Sequence, residues 1–181
     1  MIAYHVVTDR PMHVGQRILF DEVHHSGVYQ RVYDKADIVN NIYANPSEYD
    51  SDKLEHHTAV ALRELALEEV RREKYPHYPS RLSCLYVSAS YEEADNWGIF
   101  FARIGRPTYH IVKVSIRGSC FPGDATKCFR GQTDHQENLK LAEEYWKNPA
   151  DPANPSAICE MLVNGEITVV EIVKEINANL P

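Results

Sequence analysis

The spacing of apolar and polar positions separates strands from helices along most of the chain. Ile2 to Thr8 is a β-branched and aromatic run and predicts a first strand, with His5 inside it. Residues 9–15, with Pro11 and Gly15, predict a turn, and Gln16 to Phe20 a short strand. Val28 to Tyr33 fits a strand or the start of a helix; its periodicity does not choose. Asp37 to Tyr43 predicts a short helix, broken by Asn45-Pro46-Ser47. From Asp52 to Lys74, Leu54, Ala61, Leu62, Leu65, Ala66 and Val70 recur at helical spacing. Glu64, Glu68, Glu69, Arg71 and Arg72 mark the expected wet side, and Pro76 and Pro79 end the helix.

Ser83 to Ser88 predicts a second core strand. A helix follows from Tyr91 to Phe101, with Ser90 as its N-cap and Glu92-Glu93 in the first turn, where the helix dipole favours acids. Ala94, Trp97 and Phe101 give it an apolar face. Thr108 to Ile116 alternates as a third strand, and Gly118 to Ala125 reads as loop, with room for a short strand at its start. Asp134 to Trp146 predicts a helix carrying Leu139, Leu141, Ala142, Tyr145 and Trp146. Residues 147–156 hold three prolines, which can neither continue a helix nor join a central strand. That loop leads onto Ile158-Cys159-Glu160-Met161-Leu162-Val163, an expected buried strand. Asn164-Gly165 then predicts a tight turn, because both residues tolerate positive φ, and a last strand runs from Ile167 to Ile172. Roughly six strands with helical insertions predict an α+β fold, and 181 residues suit one domain spanning 1–181.

Composition narrows the function less than the pattern does. Hydrophobic residues are 44% and charged residues 25%, as in soluble globular proteins. No apolar run approaches the about 20 residues of a membrane span, and Met1-Ile2-Ala3-Tyr4-His5 lacks a secretory signal's character. The chain is therefore expected to be cytoplasmic, with no membrane partner. Cys84, Cys120, Cys128 and Cys159 show no CxxC spacing, and three of them sit in apolar settings that predict buried free thiols. The nine histidines are scattered, with His24-His25 and His56-His57 as adjacent pairs that point apart, so no metal site is expected. The formal charge of −7 argues against a general nucleic-acid coat without excluding a local basic groove.

Glu160 heads an apolar strand, where a carboxylate is costly to bury without a partner. It reads either as a strand-end Glu in water or as a carboxylate held for chemistry by a rigid sheet. Tyr86 reads equally as a core tyrosine, and Glu166, just past the turn glycine, as an exposed one. Three stretches line up in order: the first strand with His5 and Thr8; Leu85-Tyr86-Val87-Ser88 followed at once by a helix; and Glu160 opening a strand before a Gly turn. This order resembles the ADP-ribosyltransferase superfamily in its His-Tyr-Glu branch, which includes diphtheria-type toxins and poly-ADP-ribose polymerases. The Glu-Met-Leu-Val-Asn-Gly-Glu-Ile stretch is most similar to the catalytic strand of DNA-targeting bacterial toxins.

The resemblance implies a split antiparallel β-sheet core with helical insertions and an NAD-dependent transfer of ADP-ribose to a macromolecule. NAD would be the substrate and no metal would be needed. By position, His5 would hydrogen-bond the adenosine ribose, with Thr8 supporting that end. Tyr86 would stack on the nicotinamide, with Ser88 on the same face, and Glu160 would hold the hydroxyls of the nicotinamide ribose. Arg81 would reach a phosphate of NAD or form a surface salt bridge. Val6 stands where the family has a small residue, and the hydroxyl falls at Thr8, one place later than usual. Ile158 stands where arginine-modifying enzymes carry Glu or Gln, which disfavours arginine as acceptor. Nucleic acid is the acceptor the catalytic-strand likeness implies; protein is the other. The proline-rich loop would select the target, as loops before the catalytic Glu do in the resembling families. A toxin or phage-defence setting, with an antitoxin or inhibitor protein as a further partner, fits such an activity. An NAD glycohydrolase and a non-catalytic nucleotide- or protein-binding module are the alternatives.

Overall fold

Seven strands and five α-helices are formed in the computed structural model, which describes residues 1–8, 10–154 and 156–176. Asp9 in the expected first turn and Pro155 in the proline-rich loop lie outside the described residues. In chain order the elements are β1 (Ile2–Val7), β2 (Arg17–Phe20), α1 (Gly27–Tyr33), α2 (Ala36–Ala44), α3 (His56–Lys74), β3 (Leu85–Val87), α4 (Tyr91–Arg103), β4 (His110–Arg117), β5 (Cys120–Asp124), α5 (His135–Lys147), β6 (Cys159–Val163) and β7 (Gly165–Glu175). The fold is mixed α and β, with two antiparallel sheets ordered β1-β4-β7-β2 and β3-β6-β5.

The two sheets are two ends of the same ribbons. β4 passes into β5 through Gly118 and Ser119, and β6 passes into β7 through Asn164; each pair of segments lies in different sheets. The expected Asn164-Gly165 hairpin is therefore not formed, since β6 pairs with β3 and β5 while β7 pairs with β4 and β2. The positive φ foreseen for the glycine is present, at 82°, but it serves a corner. A Cβ on Gly118 would stand 2.0 Å from the Asn164 carbonyl oxygen, so glycine is needed for the two ribbons to touch there. Asn164 closes the corner by accepting from the Ser119 amide at its Oδ1 (2.9 Å) and donating its own amide to the Ser119 carbonyl (3.2 Å).

Ala3, Val7, Val112, Val114, Ile116, Ile167 and Val169 of the larger sheet join Leu85, Val87, Met161 and Val163 of the smaller one in a single buried cluster. The opposite face of the smaller sheet, through Phe121 and Leu162, is covered by α3 and α5 with Leu67, Val70, Tyr145 and Trp146. Val6 and Ile111 pack under α4 at Ala94. α1 and α2 rest on α3 through Val32, Val39, Ile42, Ala61 and Leu62, which resolves the ambiguous 28–33 segment as helix.

Several expectations need correction. The long helix begins at His56; a short 3-10 turn at Ser51–Lys53 precedes it, and Glu55 caps it by accepting from the amides of His57 and Thr58. Glu64 and Glu68 are on no wet side: they are 3% and 6% exposed, held by arginines. Residues 120–124, read mostly as loop, form the edge strand β5, where Pro122 is tolerated because the outer side needs no donor. Of the four free cysteines, Cys84 alone is buried and Cys120 is exposed. Trp146 is a core residue, whereas Trp97 on the apolar face of α4 is only half-buried. Ser90 caps α4 as foreseen and completes a capping box with Glu93. Among the described residues no helix is long and apolar enough to cross a membrane.

Candidate active site around Glu160

Side chains alternate across a strand, so β3 and β6 send Tyr86, Glu160 and Leu162 toward α3 and α5, and Leu85, Val87, Met161 and Val163 toward the other sheet. Glu160 lies at the open end of β6, opposite Gly123 of β5. The β3–β6 ladder ends at Val87–Met161, the pair just before Ser88 on one strand and just after Glu160 on the other. Ser88 is buried and its backbone exchanges two hydrogen bonds with Tyr4 of β1 (2.9 and 2.8 Å), which ties the sheets together at this end.

Arg81 is the centre of the site. It is 5% exposed, which excludes the surface salt bridge considered for it. Its Nε donates to Glu64 at 2.9 Å, its Nη1 donates to Glu160 and, at 2.7 Å, to the Tyr145 hydroxyl, and its Nη2 reaches Cys128 Sγ at 3.8 Å. The Tyr145 hydroxyl in turn donates to the same Glu160 oxygen, Oε1, at 2.8 Å. A Cβ on Gly123 would fall 2.3 Å from that hydroxyl, so glycine leaves the room for it. Glu64 is also paired with Arg63 at 2.8 Å. The result is a line of alternating charge, Arg63, Glu64, Arg81 and Glu160, buried at its two middle members.

Each group is tuned by its neighbours. Burial works against the charge on Arg81, but Glu64, Tyr86, Tyr145 and Glu160 outweigh it and hold the guanidinium well above its ordinary range. Burial likewise opposes ionisation of Glu64, yet Arg81 and Arg63 keep its carboxyl below the usual carboxylate value. The Tyr145 and Tyr86 phenols are pushed up by burial, so both remain protonated donors. Among the described residues, Glu160 Oε2 has no hydrogen-bond partner; no buried side-chain oxygen is left without one, so Oε2 meets solvent. The side chain is 14% exposed. Glu160 is thus a carboxylate with one oxygen clamped and the other open. Such a group can offer fixed negative charge to a cationic centre or accept from hydroxyls of a bound ligand.

The other residues singled out by sequence stand at differing distances from this centre. His5 projects from β1 on the side of Ala3 and Val7, and its Nδ1 is 2.8 Å from the Tyr86 carbonyl oxygen. A carbonyl only accepts, so this bond sets the proton on Nδ1. The Tyr86 ring is half-buried with the Arg81 guanidinium over it, 5.5 Å from the ring centre, so one face is already occupied. Thr8 follows the end of β1 and, among the described residues, has no hydrogen bond to Tyr86, Arg81 or Glu160. Glu166 is exposed, beside Arg17. Trp97 donates from Nε1 to the Cys159 carbonyl at 3.4 Å, bracing α4 against the residue before Glu160. Glu64 and Tyr145 were not foreseen. Glu64 lies in step with Ala61, Leu65 and Glu68 at helical spacing, a signal that its face is covered. Tyr145 carries no signal, because an apolar-face tyrosine looks the same whether or not its hydroxyl is used. Among the described residues no group of three or more His, Cys, Asp or Glu is arranged to hold a metal ion.

No curated protein matches this sequence. A family model described as "Protein of unknown function (DUF2441)" matches residues 3–175, a span that takes in every residue of the site, and the chain belongs to that family.

Proposed function

We propose that the chain is an NAD-dependent ADP-ribosyltransferase, with the two sheets forming the split core which its likeness to that superfamily implies. The observation that carries the reading is the half-clamped carboxylate of Glu160, on the strand next to the one whose Tyr86 carbonyl meets His5. In the reaction, the bond between ribose C1′ and the nicotinamide nitrogen breaks, and the electron pair leaves with neutral nicotinamide. The sugar is left with oxocarbenium character, which a fixed carboxylate in a partly water-excluded site stabilises. The acceptor's nucleophilic atom then bonds to C1′ and loses its proton. Glu160 is the residue for the ribose hydroxyls and the developing charge, and Arg81 and Tyr145 are positioning residues that hold its Oε1. Tyr86 offers its second ring face to nicotinamide while the first carries Arg81. His5 is retained for the adenosine end, with Thr8 and Ser88 in support.

For the acceptor, the catalytic-strand likeness favours nucleic acid, and protein is the other arm of the test. Purified chain incubated with NAD and cell extract is expected to release nicotinamide and to label a polymer. Glu160→Ala and Glu160→Gln should lower the release at least about 100-fold, the order seen when a transition-state charge partner is lost. Equal release by wild type and both variants removes Glu160 from catalysis. Nicotinamide release without any labelled polymer would make the chain a glycohydrolase; NAD binding without turnover, tolerant of Glu160→Gln, would make it a binding module.

A further inference from the structure

A second feature of the molecule, on the other side of Arg81, points to a ligand that the transfer reaction does not require. We propose that the cavity between the first turns of α3 and the 128–130 segment binds a phosphate-class anion, either inorganic phosphate or a small phosphomonoester. The cavity has a volume of about 230 Å³. His56, Arg63 and Arg130 line it, and no carboxylate does. In a chain of formal charge −7, a recess walled by two arginines and a histidine and by no acid is against the general balance.

The cations are placed rather than loose. Arg63 is held by Glu64 through Nε (2.9 Å) and Nη2 (2.8 Å), and its Nη1 donates to the Phe129 carbonyl at 3.3 Å. Arg130 donates from Nη2 to the Leu54 carbonyl at 2.8 Å and, among the described residues, has no carboxylate partner. The segment that carries it is pressed onto α3: a Cβ on Gly131 would stand 2.2 Å from the Ala59 carbonyl oxygen. The nearby cap residue Glu55 does not line the recess and is taken by the amides of His57 and Thr58 and by Lys35 at 3.5 Å. Glu64 and Glu160 together balance Arg63 and Arg81, so the cationic charge without a carboxylate partner at the recess is that of Arg130. Two guanidinium groups suit a phosphate better than a carboxylate, since phosphate brings three acceptor oxygens and close to two charges against two oxygens and one charge. Ala59, Val60 and Phe129 supply an apolar wall on which the organic part of a phosphomonoester can rest.

The test is calorimetric titration of the full chain, at constant ionic strength and without NAD, using inorganic phosphate, phenyl phosphate and acetate. Phosphate should bind, and acetate should bind at least about tenfold more weakly. Arg130→Gln should weaken phosphate about tenfold, with His56→Gln weakening it by less. Both side chains are exposed, and unchanged near-ultraviolet circular dichroism will verify that the variants fold. Arg17→Gln, an exposed arginine on β2, should change nothing. Phenyl phosphate binding more tightly than phosphate identifies an ester as the ligand class, and equal affinity identifies free phosphate. Absence of binding by both phosphates, or equal weakening by Arg17→Gln and Arg130→Gln, overturns the proposal. Because NAD is not in the experiment, either failure leaves the role of Glu160 untouched.

Discussion

The two faces of the β3–β6 pair are built on opposite physical terms. Toward the larger sheet it presents Leu85, Val87, Met161 and Val163, a dry apolar layer. Toward α3 and α5 it presents Tyr86, Leu162 and Glu160, the last tied into the Arg81–Glu64–Tyr145 network. An apolar layer is set by volume, and shapes of like size substitute for one another. A buried ionic network is set by pairing, and losing one partner strands a charge in a poor dielectric. The same two strands therefore carry a tolerant face and an intolerant one, and the candidate site is on the intolerant one.

Isosteric substitutions sharpen this contrast, because they separate charge from size. Glu64→Gln keeps the shape and removes the charge, leaving Arg81 and Arg63 underpaired; it should cost about 3–5 kcal/mol in denaturant unfolding. A cost below about 1 kcal/mol would erase the distinction between the faces. The pH dependence should follow the same residue. Glu64 is depressed in the folded chain below its ordinary value of 4.5. Its contribution is then fully present above that value and is lost as pH falls below it, and Glu64→Gln should flatten stability in that acid window. Tyr145→Phe removes one neutral hydroxyl that bonds both Arg81 and Glu160, and should cost about 1–2 kcal/mol. If Glu160 acts as proposed, the same change should slow nicotinamide release about tenfold with little effect on apparent NAD affinity, whereas a purely structural Tyr145 would alter stability alone. The smallest effect is expected on the dry face: Met161→Leu conserves volume and should cost under about 1.5 kcal/mol, read from the unfolding midpoint.

What the sequence makes legible follows the range of the interactions involved. Ser90, the α4 apolar face and the β1 and β4 runs are local patterns and appear where they are expected. Asn164-Gly165 is a strong local hairpin signal, but the choice between hairpin and corner is made by β3, β5, β4 and β2, which are far away in the chain. β5 is hidden by Pro122, which its edge position allows, and by Gly123, which the Tyr145 hydroxyl requires. The burial of Glu64 and Glu68 depends on pairing with Arg63 and Arg71 of α3 itself and on Arg81 arriving from beyond the helix, so they form no wet stripe. For the candidate site, Glu160, Tyr86 and His5 could be picked out by type and order. The clamp on Glu160 could not, because Arg81 and Tyr145 reach it only through the packing of α3 and α5.

The doubled corner at Gly118, Asn164 and Gly165 also sets which margin of the two sheets is joined by the chain itself. Two covalent ribbons cross from sheet to sheet there, so that margin acts like the spine of a book. Glu160 lies four residues from Asn164, about 13 Å along an extended strand, near the fore-edge. At that edge the noncovalent ties between the sheets include the Tyr4–Ser88 backbone pair and the His5–Tyr86 bond. Any parting of the leaves would strain those ties and bare the apolar layer between the sheets, while Tyr86 and Glu160, which face α3 and α5, would stay on the outer side of the cover.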